Sequence, residues 1–245
     1  MARTPAERHS VASTTAITEQ QRAALESNPW FAAMPDATRA DIAARGRVRA
    51  LAPGQRVFSR GEQPDSAYVV LDGVVRVSNT TSDGREHLLD FYGPGVWFGE
   101  VASLDGGPRM YDAEANGPAV VLQLLSSELE DLLARHPALS RALLRLEAQR
   151  LRIVLTALDG YSVQSTEQRL ANRLLMLADH HSTKTARGTE IALALSQETL
   201  ARLTGATRQR VNQIFKAWET DGLVEQRYGR VVLLDRPRLE KLASK

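Results

Sequence analysis

The sequence predicts an α+β protein with an N-terminal antiparallel β-roll, a long helix and a C-terminal winged helix-turn-helix. Three observations support this prediction. Short apolar runs separated by turn residues fill residues 48–125, leucines recur at seven-residue intervals after Pro137, and a glycine turn at Gly205 joins two short amphipathic helices. The 245 residues are enough for two domains, each with its own core.

The β-roll is predicted from the spacing of strands and turns. Residues 1–20 have the composition of a flexible tail, and residues 21–47 indicate short helices before the first strands. Each later apolar run ends at Gly, Pro or Asp, a pattern typical of an antiparallel barrel or roll. The candidate strands are Arg56–Phe58, Ala67–Leu71, Val74–Val77, His87–Tyr92 and Val120–Leu125.

A long helix is predicted from about Pro137 to about Gly160. Its apolar side chains repeat every seven residues, which favours pairing with the same helix of a second subunit. The alternative is an amphipathic helix that folds back onto the roll of its own chain. The residues of this predicted dimer seam are Leu139, Leu143, Leu146, Ile153 and Ala157.

The helix-turn-helix is predicted over residues 196–218. Ser196 is a natural N-cap for a helix over Gln197–Leu203, and Gly205 can adopt the left-handed conformation that a tight turn requires. Thr207 then caps a second helix. Val211, Ile214, Phe215 and Trp218 share one face of that helix, as a buried face requires.

The opposite face of the second helix carries the candidate DNA-binding residues. Arg can donate two hydrogen bonds to guanine, and Gln or Asn can pair with adenine, so Arg208, Gln209 and Gln213 are the base-reading candidates. Thr207, Arg210 and Lys216 are candidates for phosphate contacts, and Asn212 lies on the same face.

Charge and a predicted wing support this interpretation. Residues 166–245 contain 14 Lys and Arg against 9 Asp and Glu, and no acidic residue lies between Glu198 and Glu219. A two-stranded hairpin is predicted after Gly222, with its turn near Tyr228, and Arg227 and Arg230 at its tip could reach DNA phosphates. The polar stretch His181–Gly188 is predicted to be a loop.

Composition and motifs exclude several classes of protein. The chain has no cysteine, and its five histidines show no metal-ligand spacing, so neither a disulfide nor a metal site is expected. Nucleophile and phosphate-loop motifs are missing, so an enzyme with catalytic residues is not expected. No apolar run could span a bilayer, and the first 20 residues contain no secretory signal, so we expect a cytoplasmic protein.

Three segments resemble the Crp/Fnr superfamily of bacterial transcription regulators, and they occur in the order of that family. The segment LAPGQRVFSRGEQPDSAYVVLDGVVRV is similar to its first roll strands, FGEVASLDGGPRMYDAEA to its phosphate-binding cassette, and LSQETLARLTGATRQRVNQIFKAWETDGLV to its DNA-reading motif. The resemblance implies a cyclic-nucleotide-binding-like roll (a double-stranded β-helix) over residues 21–135, a dimerisation helix and hinge over 136–165, and a winged helix-turn-helix over 166–245.

The resemblance also implies a candidate ligand site in the roll. Gly99, Glu100 and Arg109 match the positions that enclose the ribose and phosphate in cyclic-nucleotide-binding members. Met110 departs from that pattern because it offers no donor to a phosphate, and Val154 and Leu155 stand where a hydroxyl pair meets adenine. Three alternatives remain: a cyclic nucleotide, an internal Glu100–Arg109 pair, and an unidentified effector or none.

Partners and mechanism follow from the same resemblance. It implies a homodimer that binds double-stranded DNA and contacts RNA polymerase, with changes in the roll transmitted to a hinge near Ser162–Thr166. The two recognition helices would lie about one DNA turn apart, roughly 34 Å. Gln209 and Gln213 replace the family's usual Glu and frequent Arg, which predicts an altered half-site. The competing function is a nucleotide-binding module that acts through protein partners without DNA.

Overall fold

The structure, a computed structural model, describes residues 17–80, 86–161, 164–227 and 229–244, without the side chains of residues 156–161. The chain divides into two compact units. The first comprises Met1–Val75 and Tyr92–Leu146, and the second comprises Arg76–Phe91 and Glu147–Lys245. The described helices and antiparallel strands confirm the predicted α+β class.

The secondary structure runs as follows in chain order. Three short helices come first, α1 (Glu19–Glu26), α2 (Pro29–Ala32) and α3 (Asp36–Arg45). Strands and one helix follow: β1 (Arg47–Leu51), β2 (Arg56–Phe58), β3 (Ser66–Asp72), β4 (Val75–Thr80), β5 (Glu86–Tyr92), β6 (Trp97–Phe98), α4 (Glu100–Asp105), β7 (Asp112–Ala115) and β8 (Ala119–Leu125). The remainder is α5 (Ser126–Arg135), α6 (Pro137–Tyr161), α7 (Thr166–His180), β9 (Ser182–Thr185), β10 (Gly188–Ile191), α8 (Gln197–Thr204), α9 (Arg208–Thr220), β11 (Val224–Arg227), β12 (Arg230–Leu233) and α10 (Arg236–Ala243).

The first unit contains the β-roll. One of its sheets has the antiparallel order β1-β8-β3-β6, and β2 pairs with β7 across a register shift. Residues Ser66–Leu71 of β3 are all buried, so the apolar run predicted there is a central strand. Helices α1 to α3, α5 and the first half of α6 cover one core, to which Phe31, Ile42 and Leu132 contribute buried side chains.

The second unit contains the winged helix domain. Ser165 and Gln168 form a capping box at the start of α7, whose buried face includes Leu170 and Leu174. The strands form a four-stranded sheet with the order β11-β12-β10-β9. Residues 227 and 230 are directly paired in the register of β11 and β12, in agreement with the hairpin predicted for the wing.

Strand β5 packs against C-terminal elements within the same second unit. Arg173 of α7 donates to the carbonyl of Leu89 and lies 3.0 Å from the Asp90 carboxylate. The Nε2 atom of buried His181 lies 3.0 Å from the Phe91 carbonyl oxygen. Burial lowers the pKa of His181 below its ordinary value of 6.5 and outweighs the opposing effect of that hydrogen bond. The contact therefore favours the neutral form of His181.

Several predicted elements needed correction. The stretch His181–Gly188 is not a loop, because residues 182–185 form β9 and pair with β10. The predicted two-stranded wing is therefore part of a four-stranded sheet. The predicted tail ends earlier than residue 20, since Thr18 caps α1 with a capping box. The strands β1, β6, β7 and β10 and the helices α4, α5 and α10 were not predicted.

Candidate functional site

The two helices of the helix-turn-helix are capped and joined as their sequence predicts. Ser196 accepts a hydrogen bond from the amide of Thr199, and Thr207 accepts one from the amide of Arg210. Between them Gly205 adopts the left-handed conformation, with φ 62° and ψ 32°. A side chain there would be strained, because L-residues rarely adopt that conformation. The turn therefore sets the angle between α8 and α9.

The recognition helix α9 separates an apolar face from a polar one. Val211, Ile214, Phe215 and Trp218 are buried, and the indole nitrogen of Trp218 donates to Glu167 at 2.8 Å. The opposite face is exposed and carries no acidic side chain until Glu219. Its exposed residues are Arg208, Gln209, Arg210, Gln213 and Lys216, with Thr207 exposed at the N-cap.

Asn212 differs from its neighbours on this face because it is half-buried and hydrogen-bonded. Its Oδ1 atom lies 3.4 Å from the Nε2 of Gln197 at the start of α8. The same Nε2 lies 3.3 Å from the Oε1 of Gln226 in β11, and Gln226 Nε2 donates to the Leu195 carbonyl at 3.1 Å. These amides connect α8, α9 and the wing, a contact that was not predicted.

The two wing arginines are exposed, but both form ion pairs within the wing sheet. Arg230 lies 2.8 Å from Glu190 of β10, and Arg227 pairs with Glu225 of its own strand. Tyr228, at the predicted turn, lies outside the described residues. The charges of Arg227 and Arg230 are thus partly neutralised. Arg208 differs, because the described residues provide it with no ion-pair or hydrogen-bond partner.

In the roll, Arg109 is almost completely buried, with 2% of its surface exposed. Its Nη1 donates to the Gly99 carbonyl at 2.6 Å, and its Nη2 donates to the Ser66 carbonyl at 2.6 Å. Nη2 also lies 3.3 Å from the Asp65 carboxylate. The guanidinium therefore joins the start of β3 to the loop before α4.

Aromatic rings enclose this guanidinium. The Cζ atom of Arg109 lies 4.3 Å from the centroid of Phe58 and 5.7 Å from that of Tyr68, both within cation–π range. Phe98 stacks on Tyr68 at 5.4 Å and continues the cluster. Burial is the main reason that the pKa of Tyr68 is raised above its ordinary value of 10.0.

The four candidate ligand residues are not equivalent in the structure. Gly99 has φ 76°, and a Cβ atom there would lie 2.8 Å from Arg109 Nη1, so glycine is needed for the arginine to reach its carbonyl. Glu100 is buried beside it at the start of α4, whereas Met110 is exposed. The structure thus brings Gly99, Glu100 and Arg109 together in the interior and leaves Met110 outside.

The predicted dimer seam on α6 is wrong in its first half. Leu139 and Leu143 are 1% and 4% exposed within the core of the first unit, and Leu146 packs against that core. The helix therefore folds back on its own roll there, the alternative that the sequence left open. Ile153 is exposed, and the side chain of Ala157 lies outside the described residues.

A different face of α6 is both exposed and apolar. Leu144 is 70% exposed and Leu151 58%, and they lie two helical turns apart on one stripe that continues to Leu155. At 3.6 residues per turn this stripe lies about half a turn from Leu139 and Ile153. The sequence analysis identified a different seven-residue repeat, that of Leu139, Leu146 and Ile153, and did not place Leu144 or Leu151 in a seam.

Two negative findings apply to the part of the chain that the structure describes. There, no three His, Asp or Glu side chains come together as metal ligands would. None of the helices described is long and apolar enough to cross a membrane.

An exposed, acid-free recognition helix in a winged helix-turn-helix, in a chain that also folds a β-roll, defines a class of DNA-binding transcription regulators. Comparison with known proteins supports this class. The cyclic nucleotide-binding domain model matches residues 48–136, and the Crp-like helix-turn-helix domain model matches residues 168–242.

Relatives and solved structures identify the family. The chain is 32% identical to a CRP-like cAMP-activated global transcriptional regulator of Mycobacterium tuberculosis, over 78% of this chain and 85% of that protein. It is 31% identical to the cyclic AMP receptor protein of Thermus thermophilus, over 83% and 91%. The structure of FixK2 from Bradyrhizobium japonicum matches with a TM-score of 0.70 and 25% identity, over 80% of this chain and 96% of FixK2.

The chain belongs to the Crp/Fnr family of transcription regulators, and it is a DNA-binding regulator of that type. The competing function, a module that acts through protein partners without DNA, finds no support in these relatives.

Proposed function

We propose that this regulator binds DNA as a homodimer and reads an altered half-site through Arg208, Gln209 and Gln213. The exposed, acid-free face of α9 is the observation that carries this proposal. Arg208 fits guanine, whose two major-groove acceptors match a guanidinium, and the two glutamines fit adenine. Glutamine does not reproduce the preference of a glutamate for cytosine, so the half-site differs from that of members with Glu.

The remaining basic groups are assigned to the DNA backbone. Thr207, Arg210 and Lys216 flank the base-reading residues on α9, where phosphates border the major groove. Arg227 and Arg230 at the wing would first exchange Glu225 and Glu190 for phosphates. We therefore expect a smaller contribution from the wing than from α9.

Fluorescence anisotropy with a duplex selected from random DNA tests the DNA-binding proposal. We expect affinity to fall steeply with salt, because each phosphate that is neutralised releases counterions. Arg208→Ala should weaken binding to the selected site more than binding to unrelated DNA. Equal loss on both duplexes would show that Arg208 contacts only the backbone.

We propose that the dimer forms through the stripe of Leu144, Leu151 and Leu155 on α6. Exposed leucines at this spacing match the seam of a coiled coil. A chain that reads two half-sites also needs two recognition helices. The double variant Leu144→Asp/Leu151→Asp should be monomeric in sedimentation equilibrium and should lose specific binding.

Ile153→Asp is the matched control for this variant. Ile153 is 57% exposed, nearly the same as Leu151, but it lies on the opposite side of α6. We expect this variant to remain dimeric. A monomeric Ile153→Asp protein beside a dimeric Leu144→Asp/Leu151→Asp protein would instead support the seam first predicted from the sequence.

The roll as it stands does not fit a cyclic nucleotide held by Arg109. Both Nη atoms of Arg109 already donate to backbone carbonyls, and Phe58 and Tyr68 lie against its guanidinium. The exposed side chains of Val154 and Leu155 supply no hydroxyl for a base. We therefore propose that Arg109 stabilises the roll and that cyclic AMP is not the effector of this chain, although it is named for two of the relatives.

Isothermal titration calorimetry with cyclic AMP and cyclic GMP at millimolar concentration tests this part of the proposal. We expect no saturable heat with either nucleotide. Saturable heat that disappears in Glu100→Ala would contradict it, because that loss would place the nucleotide in the cassette.

The other elements of the proposed function follow from the DNA-binding role. The protein would act in the cytoplasm, where its DNA lies, and would contact RNA polymerase there. It would catalyse no reaction, consistent with a family of regulators. Co-sedimentation of the purified polymerase with a protein–DNA complex tests the polymerase contact.

A further inference from the structure

We propose that Gln226 and Gln197 fix the orientation of the Asn212 amide, so that Asn212 presents only hydrogen-bond donors to DNA. This inference rests on the proposed function, because it assumes that α9 reads bases. It concerns the three amides that connect α8, α9 and β11 in the second unit.

The orientation of these amides is set from one end by a backbone carbonyl. A carbonyl oxygen only accepts hydrogen bonds, so the group of Gln226 that lies 3.1 Å from the Leu195 oxygen is its NH₂ group. The amide oxygen of Gln226 then faces Gln197. Leu195 is itself held in place, since its own amide donates to the Gly229 carbonyl at 2.6 Å.

The orientation of Gln226 in turn determines that of Gln197 and then that of Asn212. The Gln226 oxygen needs a donor, and the Nε2 of Gln197 lies 3.3 Å from it. That Nε2 has two hydrogens, and the second points to Asn212 at 3.4 Å. Asn212 must therefore turn its oxygen towards Gln197, and its NH₂ group is left for other partners.

Asn212 occupies a position from which it can reach a base. It lies four residues after Arg208 and three after Gln209, so the three side chains share one face of α9. A free asparagine pairs with adenine by donating and accepting at once. With its oxygen turned towards Gln197, Asn212 presents its NH₂ group to the DNA. This favours guanine, where O6 and N7 both accept, over adenine, where only N7 accepts and the neighbouring N6 group is a donor.

The test compares base preferences at each position of the selected half-site. Wild-type protein and variants would be titrated against duplexes carrying each of the four base pairs at every position. At one position of the half-site, we expect wild-type protein to bind a duplex with adenine about fivefold more weakly than one with the preferred base, because one hydrogen bond contributes about that factor. Asn212→Ala should abolish this preference. Asn212→Asp should move that preference towards cytosine, which offers a donor.

Two substitutions of Gln226 separate orientation from simple support of the wing. Gln226→Leu removes the acceptor for Gln197, so the Asn212 amide is free to turn, and adenine should be tolerated at that position. Gln226→Glu loses the bond to Leu195 but keeps an acceptor for Gln197, so the preference should be retained. If Gln226 only supports the wing through its bond to Leu195, both variants should change base preference alike.

The outcomes distinguish this inference from the proposed function. Relaxed preference in Gln226→Leu with retained preference in Gln226→Glu supports the inference. Unchanged preference at every position in both Asn212→Ala and Gln226→Leu overturns it, while selective wild-type binding still supports the proposed function. Wild-type protein that binds all duplexes equally overturns both. If Gln226→Leu does not fold, Gln197→Ala decides the question, because it removes the donor to Asn212 and leaves the bond between Gln226 and Leu195 in place. Relaxed preference in that variant supports the inference, and unchanged preference overturns it.

Discussion

Arg109 in the roll and Arg208 in the recognition helix carry the same side chain in opposite settings. Arg109 is buried, and two backbone carbonyls, one carboxylate and two aromatic rings surround it. Arg208 is exposed at the start of α9, and the described part of the chain offers it neither an acceptor nor a carboxylate. One guanidinium stabilises the fold, and the other is available for a partner.

The difference supports our proposal that the roll keeps the residues of a family motif while their role differs. Gly99, Glu100 and Arg109 match the ligand-binding pattern by sequence, yet Arg109 connects the start of β3 to the loop before α4. On the acid-free face of α9, the described residues offer Arg208 no comparable contacts. Substitutions in the roll should therefore change stability, and those on α9 should change DNA binding.

Arg109→Ala should have the largest effect. The substitution removes a charged donor from each of two buried carbonyls and leaves a cavity beneath Phe58, so the free energy of unfolding should fall by about 2–5 kcal/mol. Urea denaturation followed by circular dichroism measures this loss. Arg56→Ala is the control, because Arg56 is an exposed arginine of the same roll and should contribute less than about 1 kcal/mol. Equal effects would contradict an internal role for Arg109.

Arg208→Ala should give the next largest effect, on DNA binding alone. The loss of a bidentate contact to guanine costs about 1–3 kcal/mol, or roughly five- to 150-fold in affinity. The midpoint of urea denaturation should not move, because the side chain has no described partner to lose. Anisotropy and denaturation on the same preparation check both expectations, and a lower midpoint would show that Arg208 supports the fold.

Arg230→Ala should weaken DNA binding less than Arg208→Ala. Contact with a phosphate requires Arg230 to leave Glu190, which offsets much of the gain. We expect about a threefold loss, similar for specific and unrelated DNA, because phosphate contacts carry no sequence information. A larger loss confined to the selected site would assign Arg230 a base contact instead.

His181 should give the smallest effect, which appears only on acidification. Burial lowers the pKa of folded His181 below its ordinary 6.5, so below that pH the unfolded chain binds a proton that the folded chain excludes. The free energy of unfolding is therefore highest above pH 6.5 and falls as the pH drops towards the folded pKa. His181→Gln should flatten this pH dependence, and an unchanged slope would assign it to other groups.

The sequence was sufficient to predict the elements whose local signals agree. Ser196, Gly205 and Thr207 mark the ends of α8 and α9 by capping and turn chemistry, so the helix-turn-helix was predicted at nearly its observed bounds. The apolar run of β3 was also recognised, because a central strand is buried on both faces.

Other features depend on contacts that only the folded chain shows. The strand β9 is a run of Ser, Thr and Lys, and its pairing with β10 is not visible from propensity. The repeat on α6 does not reveal which side meets the roll, so Leu139 was assigned to a dimer. The contact of Gln197 with Asn212 and Gln226 joins residues 15 and 29 positions apart, beyond any local pattern.

Selection of binding sites from random DNA, with wild-type protein and Arg208→Ala in parallel, tests the DNA-reading claim most directly. We predict that the wild type enriches a symmetric site of two half-sites about one DNA turn apart, and that the variant loses the preference for guanine at one position of each half-site. No enrichment by the wild type, or the same site from both proteins, would contradict the assignment of Arg208 and the outward face of α9 to base reading.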